Sequence, residues 1–75
     1  MRKADREKFK RLAEQRVNRA IKTVRLIGNL SNKSNYDYTD EDVERIFSAL
    51  NAEIRACRAR FNDKVRKDEN EFKLD

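Results

Sequence analysis

The sequence predicts an all-α protein built from two amphipathic helices that fold back on each other as an antiparallel hairpin. Three features predict this class: Pro is absent and Gly occurs once, apolar residues recur at helical spacing in two long segments, and one polar segment separates them. The helices are expected at about 3–30 and at 40–62 or longer, with a loop at 31–39. At this length the chain is expected to form a single domain, 1–75.

The first helix carries one apolar stripe. Its members recur at steps of three and four residues, the spacing that brings side chains to one face of an α-helix. They are Phe9, Ala13, Val17, Ala20, Val24 and Ile27. Gly28 is expected either to end the helix in a left-handed conformation or, because it also falls on the apolar face, to permit close approach of another backbone. The helix is expected to end between Ile27 and Ser31.

A polar loop and a capping pattern precede the second helix. The Ser, Asn and Asp side chains of 31–38 compete for backbone hydrogen bonds, which favours turns over helix. Thr39 is a favourable cap, and Asp42 three residues later can reach back to it. Asp40 and Glu41 then face the positive end of the helix dipole. The second helix is therefore expected to begin at Asp40.

The second helix carries a stripe that matches the first one when the two run antiparallel. Its members are Val43, Phe47, Leu50, Ile54, Cys57 and Phe61. When the members of the two stripes are paired in order, from Ile27 with Val43 to Phe9 with Phe61, the two residue numbers of each pair sum to 70 or 71. Small residues face larger ones, as at Ala20 with Leu50, which permits close packing. These twelve residues are the predicted hairpin core.

The hairpin alone leaves apolar surface uncovered. Because a helix needs an apolar arc of about 100° covered, one partner helix is not sufficient. A second copy is the commonest solution, so a homodimeric four-helix bundle is predicted, with a hairpin docked on a larger partner as the alternative. Beyond Phe61 the sequence is mostly charged, and 62–75 is expected to be a charged, partly frayed extension.

Catalysis is not expected. Histidine is absent, which removes the commonest general base and a common metal ligand. Cys57 falls on the apolar stripe, so it is expected to be a buried core residue and not a nucleophile. The acidic residues around Asp40 lack the pattern of a calcium loop and are explained by capping. The sequence therefore predicts a non-enzymatic protein with no cofactor and no metal.

Apolar runs are too short for a membrane span or for a secretory signal. The single cysteine agrees with a reducing compartment. A soluble, cytoplasmic protein without a membrane partner is expected.

Charge is unevenly distributed. Residues 1–33 hold eleven Lys and Arg against three Asp and Glu, for +8, whereas 34–75 hold eight against eleven, for −3. One explanation is attraction between unlike helices, and the other is a basic surface that attracts phosphates or acidic proteins. A polar row on the first helix lies away from the apolar stripe: Lys8, Arg11, Gln15, Asn18, Lys22 and Arg25.

This row predicts a small accessory or regulatory protein that binds nucleic acid or a nucleoprotein assembly. Lys and Arg would neutralise phosphates, and the amides would bond to bases or sugars. In the loop, Lys33 and Tyr36 add a cation and a ring on which a base can stack, although Tyr36 is equally explained by packing over the hairpin end.

Two other functions stay open. Leu12, Leu26 and Leu30 lie outside the stripe, and an apolar side chain among arginines is typical of a protein interface. They favour an inhibitor or adaptor whose hairpin docks on a larger, acidic or grooved protein. A purely structural oligomerisation unit is the third possibility.

Overall fold

The computed structural model describes residues 2–70, and the side chains of residues 2–63. Over these residues the chain is all-α, with α1 at Lys3–Gly28, a short 3-10 turn at Asn29–Ser31 and α2 at Asp40–Asn70. The all-α class is therefore confirmed. The chain divides into two units, Met1–Asp37 and Tyr38–Asp75, each of which contains one helix.

α1 is a continuous helix of 26 residues, about 39 Å long at 1.5 Å per residue. It begins after Arg2, whose backbone is extended and whose carbonyl accepts a hydrogen bond from the Arg6 amide at 3.1 Å. Asp5 lies in the first turn and Arg25 in the last, so each charge faces the helix end of opposite sign. The helix ends within the limits that the sequence predicted.

Gly28 does not end α1 in the way that the sequence predicted. Its backbone is right-handed, with φ −58° and ψ −31°, and no residue in 2–70 has a positive φ. The helix instead tightens into the 3-10 turn, and the Asn29 amide donates to the Arg25 carbonyl. Within this unit a Cβ added at Gly28 would meet no atom within 4 Å. The left-handed cap was a wrong expectation, and no neighbour within the unit requires glycine.

The loop after α1 is organised by Asn32. Its side-chain Oδ1 accepts a hydrogen bond from the Ser34 amide at 3.0 Å. Its carbonyl accepts from the amides of Asn35 and Tyr36, at 3.1 and 3.0 Å. These are the local bonds by which an Asn side chain replaces helix with a turn. The segment outside helices is 32–39, one residue shorter than expected, because Ser31 belongs to the 3-10 turn.

α2 begins where the capping pattern predicted. Thr39 precedes the helix, and the Val43 amide donates to the Thr39 carbonyl at 3.2 Å as the first bond of the helical ladder. The helix continues past Phe61 to Asn70. The expected fraying falls partly on 71–75, which lie outside the described residues.

Most of the apolar stripe of each helix is exposed, and four stripe residues are half-buried: Ala13, Ile27, Val43 and Leu50. None of the side chains described over 2–63 is buried. Phe9 is 51% exposed in α1, and Ile54 and Phe61 are 64% and 59% exposed in α2. A side chain on a helix is covered by its own neighbours one turn away, and those neighbours hide only part of a large apolar residue. Each helix therefore presents an apolar face that its own unit does not cover.

Candidate nucleic-acid interface

All six residues of the polar row lie within α1 and are exposed. With 3.6 residues per turn they occupy an arc of about 100°, and the centre of this arc lies about 180° from the centre of the apolar stripe. These six residues would therefore stay exposed whichever element covers the apolar face. From here on, "basic row" denotes these residues: Lys8, Arg11, Gln15, Asn18, Lys22 and Arg25.

The basic row has an ordered composition along the helix. Lys8 and Arg11 form one cation pair, Lys22 and Arg25 form another, and the two amides lie between them. The row is about 25 Å long, and the centres of the cation pairs are about 21 Å apart, at 1.5 Å per residue. The helix backbone is continuous over this length, so the spacing is held rigidly.

The surroundings of the basic row are strongly positive. Between residues 8 and 33 the chain has eight Lys and Arg but a single acid, Glu14. Arg19, which lies beside the row, is also exposed, and so is Arg16, which lies next to the apolar stripe. Charges of one sign on a short helix add to a potential that attracts anions over roughly a Debye length, about 8 Å at physiological salt.

Two side chains of α1 make local contacts that separate them from the basic row. The guanidinium of Arg6 lies over the ring of Phe9, with Cζ 5.9 Å from the ring centroid, so Arg6 belongs with the apolar face. The Thr23 hydroxyl donates to the Arg19 carbonyl at 3.0 Å. The stacking of Arg6 on Phe9 was not predicted, although their spacing of three residues was the available signal.

Lys33 and Tyr36 lie in the loop beyond the 3-10 turn and not on the helical face that holds the row. Tyr36 is 47% exposed, and its amide is held by the Asn32 carbonyl. Its ring is therefore presented by an organised turn. The structure thus places these residues in the same unit as the basic row but on a separate element.

Leu26 is an apolar exception on the outer side of α1. It is 64% exposed, and Leu30, one turn later, is 47% exposed. On the helical wheel Leu26 falls at the edge of the basic row, on the side of Lys8. Binding of nucleic acid through the basic row gives no role to Leu26, a large exposed apolar side chain beside cations.

Cys57 is a free, exposed thiol. The expected burial of Cys57 stays a prediction, because within one helix a residue of the apolar face is covered only by its own neighbours. The described residues contain no group of three or more His, Cys, Asp and Glu side chains that could hold a metal ion. Of the acidic residues that precede and open α2, Asp42 is engaged in capping.

Neither α1 nor α2, as far as the chain is described, has a stretch long and apolar enough to cross a membrane. The described fold and site define an all-α protein with two amphipathic helices, one of which bears a basic row. Comparison with known proteins finds no match: no family model fits the chain, and no curated protein or solved structure is significantly similar to it.

Proposed function

We propose that this chain is a small, non-enzymatic accessory or regulatory protein that binds nucleic acid, or a nucleoprotein assembly, through the basic row. The supporting observation is that four cations and two amides lie exposed in one straight row on the side of α1 opposite its apolar stripe. The protein would act in the cytoplasm, where its single thiol stays reduced.

The chemistry of the row suits a phosphate backbone. Each Lys or Arg that neutralises a phosphate releases counterions, so affinity falls steeply as salt rises. Gln15 and Asn18 can donate to and accept from sugars and base edges. Lys33 would extend the positive surface, and the ring of Tyr36 could stack on an unpaired base.

Part of the proposal is that α1 and α2 pair as an antiparallel hairpin within a single domain. Two exposed apolar stripes cost free energy in water, at roughly 25 cal/mol for each Å² of apolar surface. The register in which Val17 faces Ile54 would bring the two stripes into contact along their whole length. Burial of the twelve core residues, Cys57 included, is part of this proposal.

Charges beside the stripes favour the same register. On one flank Glu14 would face Arg58, and on the other Arg16 would face Glu53. Opposite charges at such flanking positions set partner choice and orientation in paired helices. A slip of one heptad along the pair would place Glu14 near Asn51 or Val65 instead, so the charges favour one alignment.

A second copy of the chain is proposed to complete a four-helix bundle. Leu12, Leu30 and Ile46 lie beside the stripes and would stay partly exposed in a single hairpin. Light scattering of the purified protein at micromolar concentration tests this, with a mass twice that of the chain expected. A monomeric mass would contradict the dimer and favour a hairpin completed by another protein.

Charge reversal tests the nucleic-acid function. Arg11, Lys22 and Arg25 are replaced by Glu, and binding to a labelled nucleic-acid pool is followed by fluorescence anisotropy at several salt concentrations. We expect binding to be lost in the triple variant, because three of the four cations of the row become repulsive. Unchanged binding would remove the basis of the proposal.

The matched control carries the same change in net charge on the other helix. Arg45, Arg55 and Arg60 are exposed residues of α2 that lie outside its apolar stripe. Their replacement by Glu should weaken binding much less than the α1 variant does. Equal losses would show that overall charge, and not the basic row, determines binding.

A second candidate function is an inhibitor or adaptor that docks on a larger protein. The 64% exposure of Leu26 beside the cations favours it, since interfaces combine an apolar anchor with a charged rim. The test is a pull-down from nuclease-treated lysate with the wild type and with Leu26→Gln. A partner that survives the nuclease and is lost in the variant supports docking, whereas loss on nuclease treatment supports nucleic acid.

A further inference from the structure

We infer that the nucleic acid is B-form duplex DNA and that α1 lies in its major groove, with Gln15 and Asn18 at the base edges. This inference rests on the proposed function, which it narrows to one class of nucleic acid and to one mode of contact. Three features of the basic row support the inference: the order of its residues, their spacing and the rigidity of the helix that holds them.

The basic row is symmetric about its own middle. Lys8 and Arg25 are equally far from the midpoint between Arg16 and Val17, and so are the inner cations and the two amides. Cations therefore flank amides on both sides. A groove of duplex DNA has the same arrangement, because two charged phosphate backbones enclose neutral base edges.

The dimensions of the row agree with the major groove. That groove is about 12 Å wide and admits an α-helix. The cation pairs are about 21 Å apart, farther than the groove is wide, so α1 would follow the groove with the amides at its centre. The ends of the straight helix would then approach the phosphate backbones where the groove winds away from it. The flexible stems of Lys and Arg let their charged ends return to phosphates on either strand.

The two amides have the chemistry of direct base recognition. Gln and Asn can bond in a bidentate manner to the exposed edge of adenine in the major groove. Gln15 and Asn18 are three residues apart on the same face, about 4.5 Å along the helix axis. This separation is close to the rise between neighbouring base pairs, about 3.4 Å, so the two side chains can reach adjacent bases.

Other nucleic acids fit the row less well. The major groove of duplex RNA is deep and too narrow for side chains to read its bases. Single strands are bound by stacking of successive bases on several aromatic rings, and the basic row holds none. Phe9, the one aromatic residue of α1, is on the apolar side with Arg6 over its ring, and Tyr36 is a single ring in the loop. A continuous right-handed helix also holds its charges in a straight line, which suits a stiff duplex.

Binding of the full chain is measured by fluorescence anisotropy with three probes of one sequence: a twenty-base-pair DNA duplex, the corresponding RNA duplex, and single-stranded DNA. We expect the DNA duplex to bind at least about tenfold more tightly than either competitor. Methylation interference should place the contacts at guanine N7, in the major groove. Equal or tighter binding of RNA or of the single strand, or interference confined to the minor groove, would overturn the inference.

A second measurement isolates the amides. Three proteins each select duplexes from a pool with a randomised centre. They are the wild type, an α1 variant with Gln15→Ala and Asn18→Ala, and a matched α2 control with Asn51→Ala and Asn62→Ala. We expect adenine to be enriched by the wild type and by the control. The α1 variant should lose the enrichment while its salt dependence is unchanged, because the phosphate contacts remain.

The outcomes separate this inference from the proposed function. If the α1 amide variant still enriches adenine, the amides do not read bases and the inference fails. If RNA is preferred, nucleic-acid binding stands and the duplex-DNA assignment fails. If neither the three probes nor the labelled nucleic-acid pool binds in a salt-dependent manner, the proposed function itself fails, and the major-groove inference fails with it.

Discussion

Thr39 and Asp42 cap the start of α2 by two reciprocal hydrogen bonds. The Asp42 amide donates to Thr39 Oγ1 at 3.1 Å, and the Thr39 amide donates to Asp42 Oδ2 at 2.9 Å. The first amides of a helix have no partner within the helix, so each bond satisfies a group that would otherwise require water. The pair places the start of α2 at Asp40 without help from any distant residue.

Loss of this cap should destabilise the protein. Thr39→Ala is expected to lower the free energy of unfolding by about 1 kcal/mol, because the Asp42 amide loses its acceptor. The measurement is urea unfolding followed by circular dichroism at 222 nm. Ser48→Ala, an exposed change inside α2, serves as the control and should leave stability unchanged or slightly higher. Equal stability of wild type and Thr39→Ala would show that the cap contributes nothing in solution.

Replacement of Gly28 should stabilise the protein. Its backbone is right-handed, and a Cβ at this position meets no atom within 4 Å in its unit. Gly28→Ala should therefore raise the free energy of unfolding by roughly 0.5–1 kcal/mol, since alanine loses less conformational entropy in a helix. Thermal and urea unfolding measure the change. A loss of stability would instead indicate that a backbone from another helix approaches Gly28 in the assembled protein.

The proposed register predicts energetic coupling between Val17 and Ile54, which are 55% and 64% exposed on their separate helices. Val17→Ala and Ile54→Ala, made singly and together, form a double-mutant cycle. Contacting residues show coupling of about 0.5–3 kcal/mol, whereas distant ones are additive. The same cycle between Val17 and Phe61, which are far apart in this register, is the control and should be additive. Additivity of Val17 with Ile54 would contradict the register.

Cys57 reports directly on the covering of the α2 stripe. Its thiol is exposed on the described helix and falls on the face that the hairpin would bury. Under the proposal, a thiol-specific reagent should modify Cys57 at least about tenfold more slowly in buffer than in urea, because burial limits access. Ile54→Asp, which places a charge in the stripe, should restore rapid modification. Rapid modification of the wild type in buffer would show that the stripe is uncovered at this position.

Much of the local structure was predictable because its causes are local. The start of α2 depends on Thr39 and Asp42, which are three residues apart, and the turn at Asn32 depends on neighbours within four residues. The exposure of the basic row follows from its position opposite the apolar stripe on a regular helix. These features require no information about how the chain packs, so the sequence was sufficient for them.

The end of α1 was not predictable in the same way. Gly28 has no Cβ, so right-handed and left-handed conformations differ little in energy, and residue type alone does not choose between them. The stacking of Arg6 on Phe9 was likewise one of several rotamers open to a long exposed side chain. Small energy differences between backbone conformations or between rotamers decide these features, and composition and periodicity do not reveal such differences.

Residue types and their spacing were enough to predict the all-α class, the start of α2 and the face on which the cations of α1 lie, because helix periodicity and capping act over one or two turns. The three-dimensional structure decided the right-handed end of α1 at Gly28, the extension of α2 to Asn70 and the stacking of Arg6 on Phe9. The physical reason is that these features depend on where each backbone continues and on which atoms surround a side chain. A one-dimensional pattern of residue types does not contain that information.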